Sequence, residues 1–328
     1  MKDNILLIAP SFYGYYKDII SELERRSFNV VWYDDQIEQS ITVKLKKKIA
    51  LSMFKEDMNS YLKRIISENK GTMFKYVIIV LGYDLDKEFV KKIKTEFHPE
   101  RMIYYTWDSI GTYPQVVEFL SVFDDKYSFD DVDCGKYDLK LLPLYCKQYS
   151  NVKVKKEYDC STVMSYFPNK DENIRLILDS LPQDLNCRFN LYVKSVLYFY
   201  YLKLRYFKKV TVKVKNITTR RLSLKETYEI FEKSTSVIDC PIVNQCGLTM
   251  RTFEVLSRNI KLITTNKNIE KYNFYNPSNI VVVGKDNSIS REFFRTEYTD
   301  DGFDFWGNYG IETFVNVLLG IETRTYLK

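Results

Sequence analysis

The chain has 328 residues, 45% of them apolar and 28% charged, and a net charge of +6. That length suits two domains of ordinary size, and the composition excludes a disordered chain. The mild positive charge permits attraction to phosphates, anionic lipids or nucleic acid without selecting one. Six Cys with no Cys-x-x-Cys pair, beside the single His98, exclude a zinc set and read as reduced cytosolic thiols.

Residues 5–9 form an unbroken apolar run, the pattern of a strand buried on both faces of a parallel sheet. This run, like the apolar run 196–202, is too short for a signal peptide or a membrane span. Residues 10–14 read as a loop, 16–26 as a helix with Ile19, Ile20 and Leu23 on one face, and 30–33 as the next strand. Strand 76–81, helix 86–97, strand 102–105, a helix near 114–120 and a strand within 122–129 continue the alternation. Such a pattern predicts βαβ units with right-handed crossovers. The basic, aperiodic stretch from Asn151 reads as a linker. Alternation then restarts with strand 161–167, helix 171–181, strand 188–193, helix 195–205 and strand 210–214. Helix 223–233, strand 235–239, helix 248–257 and strands 260–264 and 279–283 follow. An amphipathic helix over 310–325 closes the chain. The predicted fold is α/β, with two Rossmann-like domains facing across a cleft at 1–152 and 153–305. Residues 306–328 are expected to pack back toward the first domain.

Open α/β sheets bind ligands at the carboxyl ends of their strands. Three loops meet that rule. The first carries Ser11, Phe12, Tyr13 and Gly14; its single glycine is not a dinucleotide fingerprint. It reads as an acceptor-lining segment or as a tight strand-to-helix turn. The second is Thr106-Trp107-Asp108-Ser109. A carboxylate beside an indole at a strand end suits a general base, since partial burial raises its pKa. Helix capping by Asp108 or Ser109 is the competing reading. Trp107 would line the acceptor, and His98 reads as a surface residue.

The third loop is the most informative. Asn244, Gln245, Gly247, Leu248 and Thr249 open a helix whose amides and dipole suit a diphosphate. Arg251 adds charge, and Glu254 is suited to accept ribose hydroxyls. Thr264, Thr265 and Asn266 end the next strand at the same edge. An ordinary glycine turn, with Thr249 as a cap and Arg251 and Glu254 as a helix pair, accounts for the same residues. Asp131-Val132-Asp133 has the Asp-x-Asp form of some metal sites, a weak signal among 43 acids. Residues 192–215 interleave rings with cations, and Lys44, Lys46, Lys47 and Lys48 form another basic cluster. A solvated basic face, an anionic membrane surface and single-stranded nucleic acid all fit such a stretch.

These segments resemble the CgeB-like and lipopolysaccharide or capsule glycosyltransferases of the GT-B fold. The likeness is carried by residues 5–15, by Tyr105-Thr106-Trp107-Asp108-Ser109, by 127–134 with 142–145, and above all by 245–254, 262–266 and 272–276. It implies a nucleotide-sugar donor on the second domain with Glu254 on the ribose, and an acceptor against the first. It also implies a reaction without a bound metal or cofactor, and Asp131 and Asp133 as structural. Two segments depart from the family's pattern. Residues 164–175 lack the usual Gly-Thr and Arg-containing turn, and Leu81-Gly82-Tyr83 stands where Lys-Gly-Glu is common. The expected protein is a cytoplasmic glycosyltransferase of bacterial surface polysaccharide synthesis, with a saccharide or polyprenyl-linked acceptor. A peripheral contact with the inner membrane is expected and nucleic acid is not. A non-catalytic nucleotide- or sugar-binding protein is the alternative.

Overall fold

The structure, a computed structural model, describes residues 2–11, 14–37, 51–147, 154–207, 210–242, 245–284 and 288–328. The expectations for Phe12, Tyr13, Asn244, Lys44, Lys46, Lys47 and Lys48 fall outside these residues, as do Lys208 and Lys209. The chain forms two compact units: residues 1–143 with 311–324, and residues 144–310 with 325–328.

In the first unit, β1 (Asn4–Ile8), α1 (Tyr15–Arg25), β2 (Asn29–Tyr33), α2 (Leu51–Glu68) and β3 (Phe74–Val80) come first. Next are α3 (Lys87–Phe97), β4 (Arg101–Thr106), β5 (Asp125–Ser128), α4 (Asp131–Tyr137) and β6 (Lys140–Leu141). All strand pairs are parallel, in the order β2-β1-β3-β4-β5-β6. Ile5, Leu6, Leu7 and Ile8 are fully buried, which is why β1 is apolar without alternation. Each such side chain contributes about 1.5–3 kcal/mol of transfer free energy. The segment Pro114–Val122 is a 3-10 helix with proline in its first turn rather than a full α-helix.

In the second unit, β7 (Tyr158–Ser165), α5 (Asp171–Ser180), β8 (Cys187–Tyr192), α6 (Val196–Arg205), β9 (Ile217–Thr218) and α7 (Leu224–Glu232) lead to β10 (Ser234–Asp239). Then come α8 (Met250–Leu256), β11 (Lys261–Thr264), β12 (Ile280–Val282), α9 (Arg291–Arg295) and α10 (Phe305–Tyr309). The strand order is β12-β11-β10-β7-β8-β9, again parallel throughout. The strand predicted at 210–214 does not form. The amides of Thr211 and Val212 instead bond to the buried Asp171 carboxylate, at 2.9 and 3.2 Å, and leave no ladder to join.

The last helix, α11 (Ile311–Leu318), belongs to the first unit and packs on α1. Arg26 donates to the Asn316 side chain and to the Glu312 carbonyl, and Phe314 meets Tyr105 edge-on at 5.0 Å. The terminal residues return to the second unit, where Tyr326 lies 5.4 Å from the Tyr309 ring.

Each sheet has a point where strand order reverses. In the first it lies between β1 and β3, and in the second between β7 and β10. Crossovers leave such neighbours toward opposite faces, which opens a crevice at their carboxyl ends. The loops following those four strands and their sheet neighbours are where ligand chemistry belongs.

Candidate active site

At the second unit's switch point, β10 ends on the buried Asp239. The hydroxyls of Thr249 and Thr252 donate to its Oδ2 at 2.6 and 3.1 Å. Thr249 is the cap residue of α8, yet its side chain makes no capping bond. The amides of Met250 and Arg251, which have no carbonyl ahead of them in the helix, are therefore left without the usual acceptor. With seven residues α8 has a small dipole, so the loop and its cations matter more than the helix.

Asn266 determines how that loop faces. Its amide nitrogen donates to the carbonyls of Cys246 (3.1 Å) and Gly247 (3.2 Å), and Asn268 donates to Cys246 as well. In a trans peptide the carbonyl and the following N–H point in opposite directions. Pinning those two carbonyls turns the Gly247 and Leu248 amides away from Asn266. Asn266 is thus a positioning residue for the loop rather than a contact of its own. Thr264, also buried, accepts from the Asn266 amide at 3.1 Å. The Thr265 hydroxyl is buried and bonds to nothing among the described residues. Gln245 donates to the Gly247 carbonyl at 3.4 Å.

Two cations complete this edge. Arg251 stacks 5.1 Å over the Phe231 ring, and its buried Nε has no hydrogen-bond partner among the described residues. A buried, unpaired guanidinium nitrogen is rare unless something else is meant to fill it. Lys170 enters from the loop after β7. Burial lowers its pKa, while the Asp239 carboxylate acts in the opposite sense and Arg251 in the same one. One turn along α8, Glu254 is buried and accepts from the Tyr228 hydroxyl at 2.8 Å. Burial raises its pKa, opposed by Arg251, Tyr228 and Arg258. This edge presents amides, two cations and two held carboxylates, Asp239 and Glu254.

The sequence reading missed Lys170 and Tyr228. Lys170 lies within the segment noted as departing from the family pattern. Strand order was the missing signal, because β7 pairs with β10 and brings the two loops together.

The first unit's edge has the opposite character. After β4, Asp108 accepts a hydrogen bond from the Tyr83 hydroxyl. Burial raises its pKa and the Tyr83 bond lowers it, with burial winning. The Asp108 carbonyl accepts from Thr106 at 2.6 Å, which fixes the turn. Capping of the short helix that follows is done elsewhere: Asp133 takes the Ile110 amide at 2.7 Å, and Ser109 donates to Asp130. Asp131-Val132-Asp133 therefore opens α4 and braces this turn. Among the described residues no cluster of His, Cys, Asp or Glu could hold a metal ion.

Tyr83 is itself held by Asp35, which follows β2. Asp35 Oδ2 accepts the amides of Gly82 and Tyr83, both at 3.0 Å, and Oδ1 is buried without a partner among the described residues. Burial pushes the Asp35 carboxyl up to about 8, aided by Asp34 and Asp84 and opposed by the two amides. The turn needs positive φ at Leu81 (64°) and Gly82 (78°). A Cβ at Gly82 would approach Phe119 to 3.3 Å, so a larger residue is disfavoured twice.

Trp107 is buried, with its ring 6.2 Å from Tyr15 and from Tyr105. Gly14, at φ 74°, starts α1, and Ser11 is exposed. His98 ends α3 just before β4 begins, at the amino ends of the strands and away from Asp108.

No protein-family model matches the sequence, and no curated protein matches it either. Solved structures do match. The chain is similar to Anabaena HepE in complex with UDP-glucose, with a TM-score of 0.59 and 8% identity over 97% of this chain and 98% of that one. HepE in complex with UDP and glucose superimposes with a TM-score of 0.54, at 8% identity over 96% and 94% of the two chains. The fold is GT-B. At such identity the likeness establishes architecture: two Rossmann-like units, each with a six-stranded parallel sheet.

Proposed function

We propose that the chain is a glycosyltransferase that takes a sugar from a nucleotide-sugar donor. The acceptor is a saccharide or a polyprenyl-linked glycan in the synthesis of a bacterial surface polysaccharide, capsule or lipopolysaccharide. The reaction proceeds without a bound metal. It takes place in the cytoplasm, at the inner face of the cell membrane. One observation carries the reading: Lys170, Arg251, whose Nε has no hydrogen-bond partner among the described residues, and the turned-out amides of Gly247 and Leu248 lie at the switch point of the second sheet. That set suits a diphosphate and little else of comparable charge. Glu254, which accepts from the Tyr228 hydroxyl, would accept from the ribose hydroxyls.

In this reading Asp108 takes the proton from the acceptor hydroxyl, aided by burial that favours its protonated form. The acceptor oxygen bonds to the anomeric carbon as the bond from that carbon to the diphosphate breaks. The electron pair leaves with the nucleoside diphosphate, whose charge Lys170, Arg251 and the loop amides stabilise. Trp107, Ser11 and Gly14 belong to the acceptor side. HepE was solved with UDP-glucose and with UDP and glucose, so a UDP-sugar is the first donor to test.

The test is a thermal-shift panel of UDP, GDP, CMP, ADP and TDP followed by transfer assays with the matching sugar donors. One nucleotide should raise the melting temperature by mass action, and Glu254→Gln should weaken that rise. If none of the five shifts the wild-type protein, the donor assignment fails. If one binds but no donor is cleaved in the presence of any glycan acceptor, the chain is a nucleotide-binding protein on this scaffold.

A further inference from the structure

Helix α6 carries two apolar faces. Phe199 and Leu202 point inward and join the core of the second unit. Leu197, Tyr200, Tyr201 and Leu204 recur at i, i+3, i+4 and i+7, the spacing that normally marks a core-facing stripe. Here that stripe faces solvent: Leu197 is 82% exposed and Leu204 81% exposed. Phe207, just past the helix end, is 82% exposed and extends the same patch. Scattered apolar residues on a surface need no explanation, but a periodic stripe of this size does.

The charge around it is one-sided. Residues 185–225 contain eleven Lys and Arg and no Asp or Glu, so the rest of the chain nets −5 against +6 for the whole. Lys194 and Arg205, at the two ends of the helix, and Lys213 and Lys215, further along the chain, are exposed, and Lys203 is half-buried against the Phe199 ring.

We infer that α6 is a membrane-docking helix, which lays Leu197, Leu204 and the tyrosines into the headgroup and acyl boundary of an anionic bilayer. The surrounding cations meet the lipid phosphates. The charge excess selects this occupant. A second copy of the chain would bring two strongly positive faces together. Single-stranded nucleic acid would use the rings for stacking but has no use for two exposed leucines. Aliphatic side chains at depth, tyrosines at headgroup level and cations at the rim match an interfacial helix. Among the described residues no helix is long and apolar enough to cross a membrane, and α6, with 10 residues, is itself too short to span one. The inference gives the proposed membrane-face location its surface. It rests on that reading only for its biological purpose, since the contact itself needs neither donor nor acceptor.

Flotation of the full chain with phosphatidylcholine vesicles, with and without phosphatidylglycerol, tests it. The protein should float with the anionic vesicles at low salt and be released as salt rises. Leu197→Asp with Leu204→Asp should cut partitioning by about tenfold or more. The melting temperature should hold, because both side chains lie in solvent. Lys203→Gln with Arg205→Gln should weaken partitioning and flatten its salt dependence. Failure to float with anionic vesicles overturns the inference, as does partitioning unchanged by the leucine pair. An oligonucleotide shift or a dimer lost in the leucine variant, with no vesicle binding by the wild type, would assign the face to that other partner. Nucleotide-induced thermal shifts on the same preparations keep this result separate from the donor reading.

Discussion

The carboxyl edges of the two sheets use one architecture for opposite electrostatic ends. The second unit's edge gathers cations and amides: Lys170, Arg251 and the loop that Asn266 and Asn268 pin by its carbonyls. The first unit's edge gathers acids and a phenol: Asp35, Tyr83 and Asp108. On the first, burial drives carboxyl groups toward the protonated form. On the second, burial leaves the Arg251 Nε without a hydrogen-bond partner among the described residues. In the proposed reading one edge receives negative charge and the other exchanges a proton. A parallel sheet with a switch point does not dictate which; the loop residues do.

Five variants sharpen that contrast. Asp108→Asn should have the largest effect, lowering kcat for transfer by about 10²–10⁴ with nucleotide affinity unchanged. Single-turnover and binding measurements together check it; a matching loss of affinity would move Asp108 out of the base role. Lys170→Met and Arg251→Met should each weaken nucleoside diphosphate binding by about tenfold to a hundredfold, the size of a hydrogen bond to a charged group. Arg251→Met should cost little stability, because its Nε bonds to nothing in the protein among the described residues.

Asp35→Asn tests the proton-exchanging edge through stability. The folded carboxyl holds its proton up to about pH 8, whereas the unfolded value is 3.8. Between those pH values the folded chain binds more protons. Its stability is then fully present below the unfolded pKa and falls as pH rises, by up to about 1.4 kcal/mol per pH unit. Urea unfolding at several pH values should show that slope in the wild type and a flatter one in Asp35→Asn. An unchanged slope would mean that Asp35 is ionised in the folded protein. Tyr228→Phe is the mildest change. Losing one hydrogen bond to Glu254 should raise the donor KM about fivefold with a smaller effect on kcat; a fall in kcat alone would place Tyr228 elsewhere in the reaction.

Much of the architecture was legible in the sequence, for reasons visible in particular residues. The unbroken run at Ile5–Ile8 marks a doubly covered parallel strand, and the alternation of strand and helix fixes the βαβ wiring. Gly247 to Glu254 stands out because its chemistry is contiguous. Lys170 does not, since nothing in the chain near it announces that β7 will pair with β10. Asp35 reads like any polar residue after a strand, until the positive-φ turn at Leu81 and Gly82 folds two amides onto it. The alternating residues 210–214 look like a strand because propensity carries no knowledge of Asp171, whose carboxylate captures their amides. The exchange of Ile311–Arg324 into the first unit is set by packing against α1. The sequence reading sent that last helix back toward the first domain, but not to α1 in particular.

Calorimetric titration of UDP into the wild type and into Lys170→Met, Arg251→Met and their double variant tests the cation-lined edge most directly. One saturable site is predicted in the wild type, weakened by each single change and lost in the double. UDP binding of equal strength in all four proteins would contradict the assignment of the diphosphate to this switch point.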